Sequence, residues 1–150
     1  MKKLLVSLVI VFGACFSVMA ADVTEVWNMF RPINTFIVTD VDMEKAAKNG
    51  FETLSMAVNT APTTAEINEA RRLAATVNPA QKITSMSQEG VNVSVFAAPA
   101  DTNGQLYKVM FVIDKNDNEN KALIVLYGTV ARSNMINAMQ SLSVQDLIGG

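Results

Sequence analysis

Apolar residues recur at two spacings along this chain, first every three or four positions and later every two. Val23, Val26, Trp27 and Phe30 share one face of a helix over DVTEVWNMF, residues 22–30. Asp22 is placed to cap it, with Glu25 three residues on, and Arg31-Pro32 stops it. NTFIVTD, residues 34–40, is short, β-branched and aromatic, which predicts a strand. Thr39 with Asp42 opens a second helix, whose apolar positions Met43, Ala47, Phe51, Leu54 and Val58 keep helical spacing. Asn49-Gly50 interrupts that run, and whether the helix continues through it stays open. Thr63 and Glu66 form a capping box for a third helix, residues 64–77, with Ile67, Ala70, Leu73, Ala74 and Val77 as its buried stripe. Asn78-Pro79 closes it.

The period then changes. KITSMSQ (82–88), a Glu89-Gly90 turn and VNVSVFA (91–97) predict a hairpin in which Val91, Val93 and Val95 point one way and Asn92 and Ser94 the other. LYKVMFVI (106–113) and KALIVLYGTV (121–130) are apolar on almost both faces, so they belong in the middle of a sheet. Residues 132–142 form a last helix through Met135, Ile136, Met139 and Leu142. Four consecutive strands imply a meander. The expected fold is α+β: a single domain over residues 21–150, with an antiparallel sheet of about four to five strands packed against a layer of helices on one face.

The densest polar stretch, DKNDNEN (114–120), lies between the two most apolar strands. A calcium loop needs glycine at its sixth position and glutamate at its twelfth. Glu119 and Val125 stand there instead, so the stretch reads as a hairpin turn rich in residues that bond their own backbone.

The start of the chain changes the picture of where this domain works. Lys2 and Lys3 precede an apolar run over 4–12 broken only by Ser7, and Val18 and Ala20 place small residues at −3 and −1 of a cleavage site. Residues 1–20 read as a signal peptide, which puts the mature protein in the periplasm or outside the cell. The alternative is a lipoprotein held to the membrane through Cys15, the chain's one cysteine. Cleavage after Ala20 removes Cys15, and with it disulfide and thiol chemistry. It also leaves 10 basic against 14 acidic residues, a net charge of −4, which argues against nucleic acid as a partner.

The chain has no histidine, so Ser-His-Asp and Cys-His catalysis are closed to it, and it carries no phosphate-loop or nucleophile-elbow motif. No metal or cofactor set is apparent. Carboxylates remain. Asp40, Asp42 and Glu44 cluster at a strand-to-helix turn, where two could act as acid and base on a glycan, although acids in a first helical turn ordinarily cap it. Arg71-Arg72 could grip an anion, with an exposed helix face as the plainer home. Asn92-Val93-Ser94 has the form of a glycosylation acceptor but lies inside a strand. Trp27, Tyr107, Tyr127 and the nine methionines offer binding surface, but most fall on apolar stripes and are expected in the core. If helices cover one side only, Tyr107, Val109, Phe111 and Ile113, or the opposite set, face the N-terminal helix, a second copy or a partner.

From about Lys82 onward the chain resembles the domain-of-unknown-function family numbered 4252, small exported proteins of Bacteroidetes, through VNVSVFAAPADTNGQLYKVMFVIDKNDNENKALIVLYGTV and the helix RSNMINAMQSL. The resemblance covers about two-thirds of the mature chain, with FIVTDVDMEKAAK matching an earlier strand-and-helix opening. It implies export and a helix-plus-sheet domain, and carries over no activity and no site residue. The expectation is an exported envelope protein that acts as a non-enzymatic binding module, through an envelope protein partner or self-association on its sheet face. The alternatives are a glycan hydrolase carried by Asp40 and Asp42, and a carrier with an apolar pocket between helices and sheet.

Overall fold

The chain around Asn49-Gly50 decides the architecture. A computed structural model describes residues 21–88, 90–116 and 121–141. The proposed leader with Cys15, and residues 142–150, lie outside the described residues. Within them, helix α1 (Val23–Phe30) is followed by strand β1 (Ile37–Asp40), helix α2 (Met43–Lys48), β2 (Thr53–Asn59), α3 (Thr64–Ala75), β3 (Lys82–Gln88), β4 (Val91–Pro99), β5 (Leu106–Asn116), β6 (Lys121–Ala131) and α4 (Met135–Ser141). One antiparallel sheet takes the order β1-β2-β6-β5-β4-β3.

The α+β class is as expected, but the sheet has six strands rather than four to five. The extra strand is β2. The helix opened by Asp42 ends at Asn49, because Gly50 takes a φ of 86°, which turns the chain where an ordinary side chain would be strained. Thr53–Asn59 then runs extended, with Leu54, Met56 and Val58 on one face and Ala57 on the other. A run of apolar residues this short fits either period, and pairing of the whole of β2 with β6, from Thr53 opposite Thr129 to Asn59 opposite Leu123, settles it. Gly128 permits that pairing to be close: a Cβ there would overlap the carbonyl oxygen of Thr53.

The other amphipathic elements form as their sequences dictate. Asp22 accepts the Thr24 amide at 3.0 Å while Glu25 accepts the Asp22 amide at 2.9 Å, and Val23, Val26, Trp27 and Phe30 are buried. Thr63 and Glu66 close the capping box of α3 in the same reciprocal way. β5 and β6 are the central pair, as their two-sided apolar character requires.

The helices do not form one layer. α1 and α3 cover one face of the sheet, over a core that includes Phe96, Met110, Val112, Leu123 and Val125. The short α2 and α4 pack on the opposite face, where Ala46 and Ala138 join Phe51, Leu54, Phe111, Leu126 and Val130. Both faces of β5 are therefore buried. Val109 and Phe111, at 2% and 4% exposure, pack in the core that α2 and α4 share with the sheet, so the condition for an open partner face, helices on one side only, is not met. The meander explains the asymmetry. β2 and β3 lie on opposite sides of the sheet, so their connection must cross it, and α3 makes that crossing.

Candidate functional site: a cleft between helix α3 and strands β3–β5

α1 is clamped over the middle of its face. Trp27 stacks on Tyr127 with ring centroids 5.5 Å apart, and Thr24 Oγ1 lies 2.8 Å from the Tyr127 hydroxyl. At the N-terminus of α1, Asp22 accepts the Lys108 ammonium at 2.6 Å and Gln81 Nε2 at 3.2 Å. Burial pushes the Asp22 carboxyl up, but Lys108, the Thr24 amide and Gln81 together outweigh it and hold it below its usual value.

α3 leaves the sheet partly uncovered towards β3. Between its C-terminal half and strands β3, β4 and β5 lies a cleft of about 380 Å³. Phe96, Val112, Val77 and Ala74 supply its apolar surface, while Arg71, Lys82, Ser94 and Asp114 supply its polar groups. Strand period two places these groups together. Ser94 and Phe96 on β4 stand opposite Val112 and Met110 on β5, and Asp114 stands opposite Asn92. A bulge between Lys82 and Thr84 sets Lys82 against Phe96 and so on the cleft side of the edge strand.

Asp114 is the buried polar centre. It is 4% exposed and accepts three hydrogen bonds: Arg71 Nε at 3.2 Å, Arg71 Nη2 at 2.9 Å and Asn92 Nδ2 at 3.1 Å. Asn92 Oδ1 in turn accepts from the Ser87 hydroxyl on the edge strand. The chain Ser87–Asn92–Asp114–Arg71 thus ties three strands to α3. A bidentate guanidinium compensates the buried carboxylate, and Asp114 in return raises the basicity of Arg71 against a smaller opposing effect of burial. Two of the five N–H donors of a guanidinium are engaged here, and half of the Arg71 side chain, 48%, remains exposed. Lys82 is exposed and forms no salt bridge among the described residues.

The candidates raised by the sequence fall out differently. Of the Arg71-Arg72 pair, Arg71 reaches the cleft, while Arg72 pairs with Glu69 at 2.7 Å on the exposed side of α3. Asp40 accepts the Ser55 hydroxyl at 2.6 Å, Asp42 caps α2 by accepting the Lys45 amide at 2.9 Å, and neither lines the cleft. Asn92 is spent on Asp114 inside the sheet. The polar stretch 114–120 splits: Asp114, Lys115 and Asn116 belong to β5, Asn116 pairs with Lys121, and residues 117–120 lie outside the described residues. Among the described residues no cluster of His, Cys, Asp and Glu suits a metal ion, and no helix is long and apolar enough to cross a membrane.

Sequence reasoning missed Asp114, Lys82, Phe96 and Val112 as a group. One signal was available. Lys108, Met110, Val112 and Asp114 alternate along β5, so an acid at the end of a buried stripe needed a cation from a covering helix. Comparison with family models, with curated proteins and with solved structures finds no match to this chain. The cleft's own chemistry must carry the functional reading.

Proposed function

We propose that this chain is an exported, non-enzymatic binding module that holds a small, largely apolar molecule in the cleft under α3. The observation that carries this reading is the cleft itself: an apolar floor with a few fixed polar groups, at the junction of helix and sheet, about 380 Å³ in volume. Binding sites have this composition, and this volume lies at the lower end of their range of roughly 300–1,000 Å³. The leader-like residues 1–20 support export.

Ala75 gives a clean test. It lines the cleft yet is exposed, so Ala75→Trp obstructs the space without disturbing the core. Calorimetric titration with 1-octanol is expected to show saturable binding that Ala75→Trp abolishes at unchanged thermal stability. Binding that survives the substitution removes the cleft from consideration.

A second reading, self-association, rests on an edge of the sheet. Among the described residues β3 has no strand on its outer side, and Ile83 and Met86 on it are 48% and 58% exposed. A dimer formed there disperses on Met86→Lys in sedimentation velocity. A monomer at all concentrations rejects it.

A further inference from the structure

The cleft's charge identifies the class of its ligand. This inference rests on the binding reading above and goes one step further. The mature chain is acidic overall, yet the groups around the cleft sum to a positive charge. Arg71 and Asp114 cancel, and Lys82 remains without a salt bridge among the described residues. Arg71 is also held in place. Two hydrogen bonds from Asp114 fix the guanidinium plane, Asn92 and Ser87 brace Asp114 from behind, and three N–H donors stay uncommitted on a half-exposed side chain. A guanidinium fixed in this way loses little freedom when it pairs with a second anion.

The geometry points to an amphiphile with a short apolar body and one terminal anionic group, a carboxylate or a phosphate, bound with its body against Phe96, Val112 and Val77 and its anion between Arg71 and Lys82. A neutral molecule gains only the apolar contacts. A cation meets two like charges, and the one carboxylate present already accepts three hydrogen bonds. A second cavity, beside Phe30, Phe36 and Leu123, shows the contrast: it is smaller, about 170 Å³, and its charged neighbours are the acids Glu66 and Glu69.

The test compares octanoate, octyl phosphate, 1-octanol and octylammonium on the mature chain, residues 21–150, at pH 7. Octanoate or octyl phosphate is expected to bind about tenfold or more tightly than 1-octanol, the scale of one charge-assisted hydrogen bond. Lys82→Glu, an exposed position that leaves the core untouched, is expected to erase that advantage, and an advantage undiminished in the variant overturns the placement of the anion. The better of the two anions then tells a carboxylate ligand from a phosphate one. If 1-octanol binds as tightly as both anions, the ligand class is wrong while the cleft remains a binding site. If octylammonium binds best, the charge argument fails outright. If none of the four binds, the binding reading and this inference fall together.

Discussion

The two faces of the sheet are built by different means. The face under α1 and α3 is covered by helices of 8 and 12 residues, both closed by capping boxes. The opposite face has helices of 6 and 7 residues, and α2 ends at a positive-φ glycine. The first face holds a polar network, an aromatic stack and a cleft. The second is bound mainly by apolar packing, such as the edge-to-face contact of Phe51 with Phe111, with Asn134 Nδ2 donating to the Gly50 carbonyl at 3.0 Å. Long amphipathic helices can be fixed by their own caps and by ion pairs, so they can stand off the sheet and leave usable space. Short helices have little of their own to hold them and must sit tight. The proposed function therefore falls on the first face, with the second as its support.

The largest expected effects fall on the two cores alike. Trp27→Ala on the first face and Phe111→Ala on the second each remove a buried aromatic ring and should cost about 3–5 kcal/mol in urea unfolding. A much smaller loss for Phe111→Ala would break the claim that the second face is structural.

Next is Gly50, which sharpens the contrast. A Cβ at this position would lie 3.0 Å from the Ala138 Cα of α4, on a backbone that disfavours side chains. Gly50→Ala is expected to destabilise by roughly 1–3 kcal/mol. Amide exchange should rise in α2 and α4 and stay slow in α3.

Arg71→Ala leaves a buried Asp114 without its cation, at a cost of about 1–3 kcal/mol. Arg72→Ala, its exposed neighbour, should change stability by no more than about 0–1 kcal/mol. Equal effects at the two positions would remove the special status of the cleft.

The smallest effect is in acid. The carboxyl of Asp22 is held below its ordinary value of 3.8, so the native state binds this proton less readily than the unfolded chain does. Its contribution is complete above about that value and is lost as pH falls through the lower, folded-state value. Lys108→Met removes the chief partner and should flatten that part of the acid-stability curve, seen in melts between pH 5 and pH 2.

Much of this contrast is legible in the chain. α1, α3 and the β3–β4 hairpin follow from caps, stripes and a turn, because each is a strong local pattern. β2 does not, since Phe51, Leu54 and Val58 continue the spacing of Met43 and Ala47, and only the long-range partner β6 selects the extended form. The same limit hid the site. Asp114 looks like one more acid of a polar turn until β5 is seen to run through Asn116, and Arg71 looks exposed until α3 is laid across β5. A salt bridge between residues 43 positions apart has no local signature.

The central claim is that ligand binding belongs to the cleft and not to the second face. Methyl-resolved NMR during an octanoate titration tests it directly. The valine methyls of Val77 and Val112 are expected to shift and saturate together, while those of Val109 and Val130 stay in place. Shifts confined to Val109 and Val130 would put the site on the wrong side of the sheet and contradict the account.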